Sequence, residues 1–218
     1  MTIHHHPDEE ILVRYAAGEL AEALSLLVAT HIAMCPACRS KVRAAEAIGG
    51  ALVQDASPVA MSADALDSVL ARVEVSAEPE PVKAPLPSGA RPILPEPLRS
   101  YAGSDLDGLD WRRLGRGAYH IPLVADRGAP TARLLRIPAG RPVPEHGHNG
   151  LELTMVLQGS FVDGGERFAA GDVETADADL EHQPVAEPGQ DCICLAVTDA
   201  PLRFRGPIAR LAQPFIGI

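Results

Sequence analysis

The chain has 218 residues, of which 46% are apolar and 4% aromatic, and its formal net charge is −10. So few aromatic side chains and so negative a charge argue against a base-stacking nucleic-acid surface and against attraction to an anionic membrane. No apolar run approaches the roughly 18 residues that a membrane span needs, and the N-terminus lacks the apolar core of a signal peptide. We therefore expect a cytoplasmic protein with one large domain or two small ones.

A proline-rich stretch divides the sequence. Seven of the 25 residues from Ser76 to Ser100 are proline, which disfavours a helix and favours an extended chain. The sequence therefore predicts a helical domain at residues 1–75, a linker at residues 76–100 and a second domain at residues 101–218.

Four helices are predicted in the first domain. Apolar residues recur at three- and four-residue steps after Asp8, which is placed to cap the first helix. The Ala- and Leu-rich stretch 21–34 predicts a buried helix. A third helix is expected from Cys35, with Pro36 in the first helical position, to about Ile48 before two glycines, and a fourth over residues 62–74. About 75 residues with few large side chains make a small core, and such domains commonly need a bound metal.

The cysteines of this domain indicate where that metal would bind. His31, Cys35 and Cys38 form H-x3-C-x2-C, and Pro36 forces the bend that turns both thiols toward the imidazole. Two thiolates and one imidazole satisfy three corners of a tetrahedral zinc site, and the three histidines at positions 4–6 are candidates for the fourth. The alternative is a redox-active Cys-x-x-Cys pair with His31 as an unrelated core residue. That alternative lacks the βαβ context that it requires.

This pattern resembles the zinc-binding anti-sigma factors. The resemblance covers residues 1 to about 75 and implies a small helical bundle that wraps an alternative sigma factor and blocks its contact with core RNA polymerase. It also implies His6 as the upstream ligand, since 24 residues separate His6 from His31. The leucine face of the fourth helix is a candidate for partner contact, and simple core packing is an equal alternative.

The second domain is predicted to consist of short strands. Its apolar runs are separated by turn residues, as at Gly164-Gly165 and Pro188-Gly189. The runs cover residues 132–137, 151–157, 192–197 and 202–204. Strands of this length and spacing indicate an all-β sandwich or barrel.

Two histidines and a glutamate indicate a second metal site in this domain. His146 and His148 are two residues apart, so both side chains point the same way from an extended strand, and Glu152 returns from the next strand. Two imidazoles and a carboxylate make a metal site that is open to a further ligand. Together with Gly140 and Gly159, their spacing resembles the first motif of the cupin family.

The second cupin motif is only partly present. His182 follows Gly171 at the distance that the motif requires, which implies that His182 is a further ligand. The motif's internal Pro-Gly turn is absent, however, and Ala186 stands where asparagine is expected. This departure leaves open how well the second site holds a metal.

Cys192 and Cys194 lie two residues apart in a strand-like run, so both thiols face one side. A disulfide across a single strand residue is strained, which argues against a permanent bridge. Two interpretations remain: a redox-sensing pair, or two small buried residues that fill the wall of the barrel.

The order of helical zinc domain, proline-rich linker and cupin-like domain resembles the ChrR-type anti-sigma factors. The resemblance implies a zinc-stabilised helical bundle, a cupin-like β-barrel and one zinc ion in each. It also implies release of the sigma factor in response to singlet oxygen or related oxidants, with the cupin-like domain required for that response. The ligands that it implies are His6, His31, Cys35, Cys38, His146, His148, Glu152 and His182.

A second functional class remains possible at this stage. Many cupins with three histidines and a glutamate are metal-dependent dioxygenases or isomerases that act on small molecules, and an open metal position could activate water or dioxygen. The fused zinc bundle has no role in such an enzyme. We therefore expect a regulator that binds a sigma factor and not an enzyme.

Overall fold

The computed structural model describes residues 2–75, 92–114, 117–125, 128–201 and 203–204. The chain divides into two compact units, one formed by residues 1–46 together with 92–218 and the other by residues 47–91. The first unit contains both the N-terminal helices and the sheet-rich region. It therefore holds all eight residues that the sequence proposes as metal ligands.

The described residues form five α-helices. In chain order they are α1 (Glu9–Ala16), α2 (Glu22–Met34), α3 (Pro36–Asp55), α4 (Ala65–Val75) and α5 (Glu96–Ala102). The expected end of the third helix at Ile48 is wrong, because α3 continues through Gly49 and Gly50 to Asp55. Each glycine costs a helix roughly 1 kcal/mol, and the alanines and the leucine around this pair are strong helix formers that carry the helix across it.

The described end of the proline-rich stretch folds into a helix. Residues 76–91 lie outside the described residues, but α5 begins at Glu96, inside the predicted linker. Pro95 caps this helix and Pro97 lies in its first turn, where a missing N–H costs no helical hydrogen bond. Leu94 and Leu98 are completely buried, so the expectation of an extended chain up to residue 100 is wrong for this end of the stretch.

Twelve strands lie in the described part of the sheet-rich region. They are β1 (Arg112–Leu114), β2 (Ala118–Val124), β3 (Thr131–Ile137), β4 (His146–Gly147), β5 (Glu152–Gln158), β6 (Ser160–Asp163), β7 (Glu166–Ala169), β8 (Val173–Ala176), β9 (Glu181–His182), β10 (Val185–Ala186), β11 (Cys192–Thr198) and β12 (Arg203–Phe204). Each of the four predicted apolar runs coincides with a strand to within one residue at either end.

The strands form three antiparallel sheets. The largest has the order β1-β2-β3-β11-β5-β8, and the two smaller ones have the orders β10-β6-β7 and β12-β4-β9. Among the described residues these sheets do not join into one closed barrel. The fold is thus a helical N-terminal region with a sheet-rich C-terminal region.

The six-stranded sheet separates two apolar clusters. Leu134, Leu153 and Leu195 pack in one cluster with the buried residues of α1, α2 and α5. Residues of the opposite face, such as Val156 and Cys194, pack with phenylalanines of β6 and β7. Alternate residues of a strand point to opposite faces, so each central strand contributes to both clusters. The helices α1 and α2 thus share one core with the sheet.

No single helix in the described ranges is long and apolar enough to cross a membrane. Helices α2 and α3 reach that length and composition only as a pair, and they are bent by 119° relative to each other.

Two candidate metal centres

The first centre brings together His6, His31, Cys35 and Cys38. One possible donor atom from each of these residues lies within 4.8 Å of all the others. The Nδ1 atom of His6 is 3.6 Å from Cys35 Sγ and 3.4 Å from Cys38 Sγ. His6 comes from the N-terminal segment, His31 from α2 and Cys38 from the first turn of α3, so one bound ion would connect three parts of the chain.

The junction between α2 and α3 aims both thiols at the same point. Cys35 is extended between the helices, with φ −106° and ψ 103°, and its N–H donates to the carbonyl oxygen of His31 at 2.7 Å. Pro36 then begins α3, and the N–H of Cys38 lies 3.5 Å from Cys35 Sγ. A sulfur at a helix N-terminus that receives a backbone N–H is favoured as the thiolate, the form that binds metal.

The orientation of His31 fits a metal ligand. Its Nδ1 lies 3.0 Å from the carbonyl oxygen of Gly171. Because a carbonyl can only accept, Nδ1 carries the proton and Nε2 has a free lone pair. That buried Nε2 has no hydrogen-bond partner among the described residues, and a metal ion would supply one. Burial, together with the charge of His6, lowers the pKa of His31 to about 4, which keeps the ring neutral.

The thiols of this centre also need a cation. Burial, followed by the hydrogen bond and the charge interaction with Cys35, raises the pKa of Cys38 to about 12. Two buried sulfurs this close cannot both ionise unless a positive ion compensates them. Two thiolates and two imidazoles are the donor set of tetrahedral structural zinc sites.

The neighbouring histidines occupy different positions. The N–H groups of His4 and His5 donate to Asp172 Oδ1 at 2.7 Å and 3.0 Å, and the His5 ring lies 4.4 Å from the Phe168 ring. Neither residue belongs to the donor group of the first centre. Of the three histidines that the motif alone left open, the structure brings His6 to the cysteines.

The second centre brings together His146, His148, Glu152 and His182. All four residues are buried, and their possible donor atoms lie within 4.8 Å of one another. Strands β4 and β9 pair so that His146 lies directly opposite His182. Glu152 begins β5, immediately after the turn that follows His148. Three separate strands therefore place the four side chains.

The approach of the imidazoles fits a cation between them. The Nε2 atom of His182 is 3.0 Å from His148 Nε2 and 3.2 Å from His146 Nε2. The Nδ1 atoms of His146 and His182 donate outward, at 2.8 Å each, to the carbonyl oxygen of Pro144 and to the carboxylate of Asp163. With both rings neutral, their Nε2 lone pairs face each other, an unfavourable contact that a bound cation would relieve. Without a cation, the burial of His182 is outweighed by the carboxylates of Glu174 and Asp163, which raise the pKa of His182.

The charges of the second centre depend on burial. Burial raises the pKa of Glu152 to about 7, although the charge of His182 and the hydrogen bond from Thr154 oppose this shift. Burial, together with the charges of His146 and His182, lowers the pKa of His148 to about 4. Imidazoles that stay neutral are available as ligands for a divalent cation.

Sequence reasoning missed the residues that orient these ligands. Asp163 binds the outer nitrogen of His182, and Glu174 Oε1 lies 3.8 Å from the same nitrogen. The carbonyl groups of Pro144 and Gly171 hold His146 and His31 in the same way. Carbonyl groups leave no signal in a sequence, and no spacing rule connects either carboxylate to its histidine. Only the turn Gly164-Gly165 after Asp163 indicates that it ends a strand.

Cys192 and Cys194 lie outside both centres. Their sulfur atoms are 3.5 Å apart, and both free thiols are buried in the apolar cluster behind the six-stranded sheet. This placement agrees with the interpretation that they fill the wall of the sheet. His120 lies on β2 and is likewise no member of either donor group.

Both regions of the chain match families of known proteins. A family model for the ChrR cupin-like domain matches residues 100–201, and a zinc-finger family model matches residues 9–39. The anti-sigma-E factor ChrR of Cereibacter sphaeroides is 49% identical over 219 residues, which cover 100% of both chains. The crystal structure of Rhodobacter sphaeroides SigE in complex with the anti-sigma ChrR matches with a TM-score of 0.77 and 48% identity. This match covers 91% of the present chain and 100% of the other.

Proposed function

Because this chain belongs to the ChrR family of anti-sigma factors, we propose that it binds an alternative sigma factor of the extracytoplasmic-function type and blocks its access to core RNA polymerase. The observation that carries this proposal is the 49% identity with the anti-sigma-E factor ChrR over the full length of both chains. Membership of this family makes the chain a regulator and not an enzyme.

The unit formed by residues 47–91 supplies a surface for such a partner. Its described helices α3 and α4 expose many large apolar side chains to solvent. These are Ile48, Leu52, Val53, Leu66, Val69, Leu70 and Val73, each at least half exposed. Leu66, Val69, Leu70 and Val73 recur at three- and four-residue steps, so they lie on one face of α4, and an exposed apolar face commonly marks a protein interface. We assign the sigma factor to this surface, with α4 as its central element.

Zinc is the metal proposed for the first centre, with His6, His31, Cys35 and Cys38 as ligands. Their donor set and the free lone pair of His31 support this assignment. A zinc ion there would supply a structural cross-link, and the surrounding residues position its ligands. The junction at Cys35 aims the sulfurs, and the N-terminal segment delivers the imidazole of His6.

The second centre is proposed to hold one further zinc ion on His146, His148, Glu152 and His182. Three imidazoles and a carboxylate also suit iron and manganese, so the metal is assigned by the family resemblance and the ligands by the convergence of their donor atoms. The three sheets around this centre are proposed to form the incomplete wall of a cupin β-barrel. Residues 1–75, 76–100 and 101–218 are proposed as helical domain, linker and cupin-like domain of a cytoplasmic protein.

The second centre is proposed to serve the response to singlet oxygen or related oxidants. Its ligands are buried, and it belongs to the same compact unit as the first centre. Damage at the second centre can therefore reach the first through packed structure, without relying on the linker. The alternative route is direct oxidation of Cys35 and Cys38, which would release the first zinc ion with no part played by the cupin-like region.

Binding to purified SigE of Rhodobacter sphaeroides tests the proposed function in the full-length chain. We expect tight binding and inhibition of SigE-dependent transcription by core polymerase. Replacing Leu66 and Leu70 with glutamate (L66E/L70E) should weaken binding at least tenfold, because both side chains lie on the proposed contact face of α4.

The matched control is Val185→Glu, an apolar residue that is 39% exposed on a strand of the sheet-rich region. It should bind SigE as the unaltered chain does. If the unaltered chain does not inhibit SigE, the proposed function is wrong. If L66E/L70E binds normally, the function stands and the assigned surface is wrong.

A further inference from the structure

One short segment of the sheet-rich region contacts both metal centres. It consists of residues Gly171–Glu174, and we call it the bridging segment. It enters β8 at Val173, and its backbone is fixed to β5, since Gly171 N donates to Val156 O at 2.8 Å and Val156 N donates to Asp172 O at 3.0 Å. These hydrogen bonds fix the backbone of the bridging segment to the sheet.

The bridging segment holds both imidazole ligands of the first centre. Gly171 accepts the hydrogen bond from His31 Nδ1 at 3.0 Å, which directs Nε2 of that ring toward the cysteines. Asp172 Oδ1 accepts the N–H groups of His4 and His5, and Val173 N donates to His5 O at 3.1 Å. The backbone immediately before His6 is thereby held in place. The helices α2 and α3 position the two sulfurs without this segment.

Asp172 is suited to strong hydrogen bonds with the backbone of His4 and His5. Its side chain is buried, and its Oδ2 also accepts the N–H of Ala169 at 2.9 Å. Burial alone would raise its pKa, but the three backbone N–H groups and the charge of His5 outweigh burial and hold the pKa below its usual value. The carboxylate therefore stays ionised, and hydrogen bonds to an ionised acceptor are the stronger kind.

The other end of the bridging segment reaches the second centre. Glu174 Oε1 lies 3.8 Å from His182 Nδ1, next to the hydrogen bond that Asp163 makes to the same atom. Strand β8 also pairs with β5 so that Ala176 lies opposite Glu152. A change in the position of His182 or Glu152 therefore acts on the strand whose first residues hold the first centre.

We propose that Asp172 is a positioning residue for the first metal centre, and that the bridging segment couples the metal affinity of that centre to occupation of the second. This inference rests on the metal sites of the proposed function. In this arrangement the sheet of the cupin-like region fixes the imidazole half of a site whose sulfur half lies on the helices.

Cobalt(II) is the probe, because only the first centre contains thiolates and only thiolates give sulfur-to-cobalt charge-transfer absorption. In the full-length chain we would measure the affinity for Co²⁺ and the rate of its transfer to a chelator at that absorption. Asp172→Ala should weaken Co²⁺ binding by about 10- to 100-fold, as is usual for residues that orient metal ligands. Asp172→Asn keeps one acceptor oxygen and should recover part of the loss.

Asp191→Ala is the matched control. Asp191 also accepts a backbone N–H, from Ala139 at 3.1 Å, and it pairs with Arg136, so both of its partners belong to the sheet-rich region. It should leave Co²⁺ affinity within about twofold of the unaltered chain, well below the loss of about 10- to 100-fold expected for Asp172→Ala. Equal losses in Asp172→Ala and Asp191→Ala would overturn the positioning role, since both would then reflect general loosening of the sheet.

The coupling is tested with His146→Ala, which removes a ligand of the second centre, and with the milder Glu174→Gln, which keeps the volume of the side chain. Both should speed the transfer of Co²⁺ from the first centre, by about tenfold for His146→Ala. If both variants transfer Co²⁺ at the unaltered rate, the coupling is wrong although the two sites stand. If the unaltered chain gives no charge-transfer absorption, the proposed first centre itself is wrong.

Discussion

The two candidate metal centres of this chain rest on different secondary structure. In the first, three of the four donors lie within eight residues of one another, at the junction of two helices, and a distant segment adds the fourth. In the second, three donors likewise lie within seven residues, but they span the end of β4, the turn after it and the start of β5, and the pairing of β4 with β9 brings His182 opposite His146. Local chain geometry accounts for most of the first centre, whereas the second exists only once the sheets have formed.

This difference predicts which region depends on its metal. The helices α1 and α2 are short, and part of the core around them comes from the sheet. The sheet-rich region has a second apolar cluster that contains no residue of either centre. We therefore expect metal loss to unfold the helical region and to leave most of the sheet intact.

Removing both thiols of the first centre should have the largest effect. In the variant C35S/C38S the chain should bind one metal ion fewer and lose much of its helical circular dichroism signal. Structural zinc sites contribute apparent binding free energies of about 10–16 kcal/mol, more than a small domain can lose and remain folded. Metal content and far-ultraviolet circular dichroism measure both changes.

The corresponding variant of the second centre is H146A/H148A. It should also lose one metal ion but retain most of its strand signal. The comparison fails if both variants lose the same signal, because the two regions would then depend on their metals in the same way.

A core substitution asks whether the two regions unfold together. Leu27 of α2 is completely buried in the cluster that the helices share with the sheet. Leu27→Ala should lower the free energy of unfolding by about 2–5 kcal/mol, as is usual for buried leucines. If the shared core makes the metal-loaded chain one cooperative unit, the circular dichroism signal of its helices and the near-ultraviolet signals of its sheet should shift to the same new midpoint.

Leu52→Ala is the control for this substitution. Leu52 is 68% exposed on α3, so its replacement should change the free energy of unfolding by less than about 0.5 kcal/mol. Separate midpoints in Leu27→Ala would contradict the shared core, and the helices would then be an independent domain that is merely docked on the sheet.

The convergence of the candidate ligands in both centres was predictable from the sequence, but the groups that orient them were not. H-x3-C-x2-C and the cupin spacing indicate side chains whose relative positions follow from helix and strand geometry. The carbonyl of Gly171 and the carboxylates of Asp172 and Asp163 act across 19 to 168 residues of sequence, through contacts that only the packed fold creates. No periodicity predicts such contacts.

The packing of the helices against the sheet was likewise not predictable from the sequence. Two acidic segments joined by a proline-rich stretch suggest weak docking, yet α2 packs against β3 and β11. The Ala- and Leu-rich sequence of α2 indicates a buried helix, but it does not indicate which surface covers it. The apolar face of the sheet, with Leu134 and Leu195, supplies that surface. Repulsion between two net charges is screened within about 10 Å, whereas buried apolar area stabilises the contact directly.

Two glycines of the cupin motif differ in how closely other backbone atoms approach them. Gly140 and Gly159 both have positive φ, of 70° and 72°, so a side chain strains either position. A Cβ atom on Gly159 would lie 2.6 Å from the backbone oxygen of Asp191, whereas one on Gly140 would meet nothing within 4 Å. Gly140→Ala should therefore cost about 1–2 kcal/mol, as is usual for the left-handed conformation. Gly159→Ala should cost about 1–3 kcal/mol more, because backbone cannot move aside easily.

Chemical denaturation measures the difference in the free energy of unfolding between the two variants. The metal content of the second centre then shows whether the strain at Gly159 affects the candidate ligands. Gly159 links β5, which carries Glu152, to β6, which ends at Asp163. A displaced turn should therefore weaken metal binding at the second centre in Gly159→Ala but not in Gly140→Ala. If both variants lose the same free energy of unfolding, the backbone before Cys192 moves aside at little cost. The strands that place the second centre would then be less rigid than their pairing indicates.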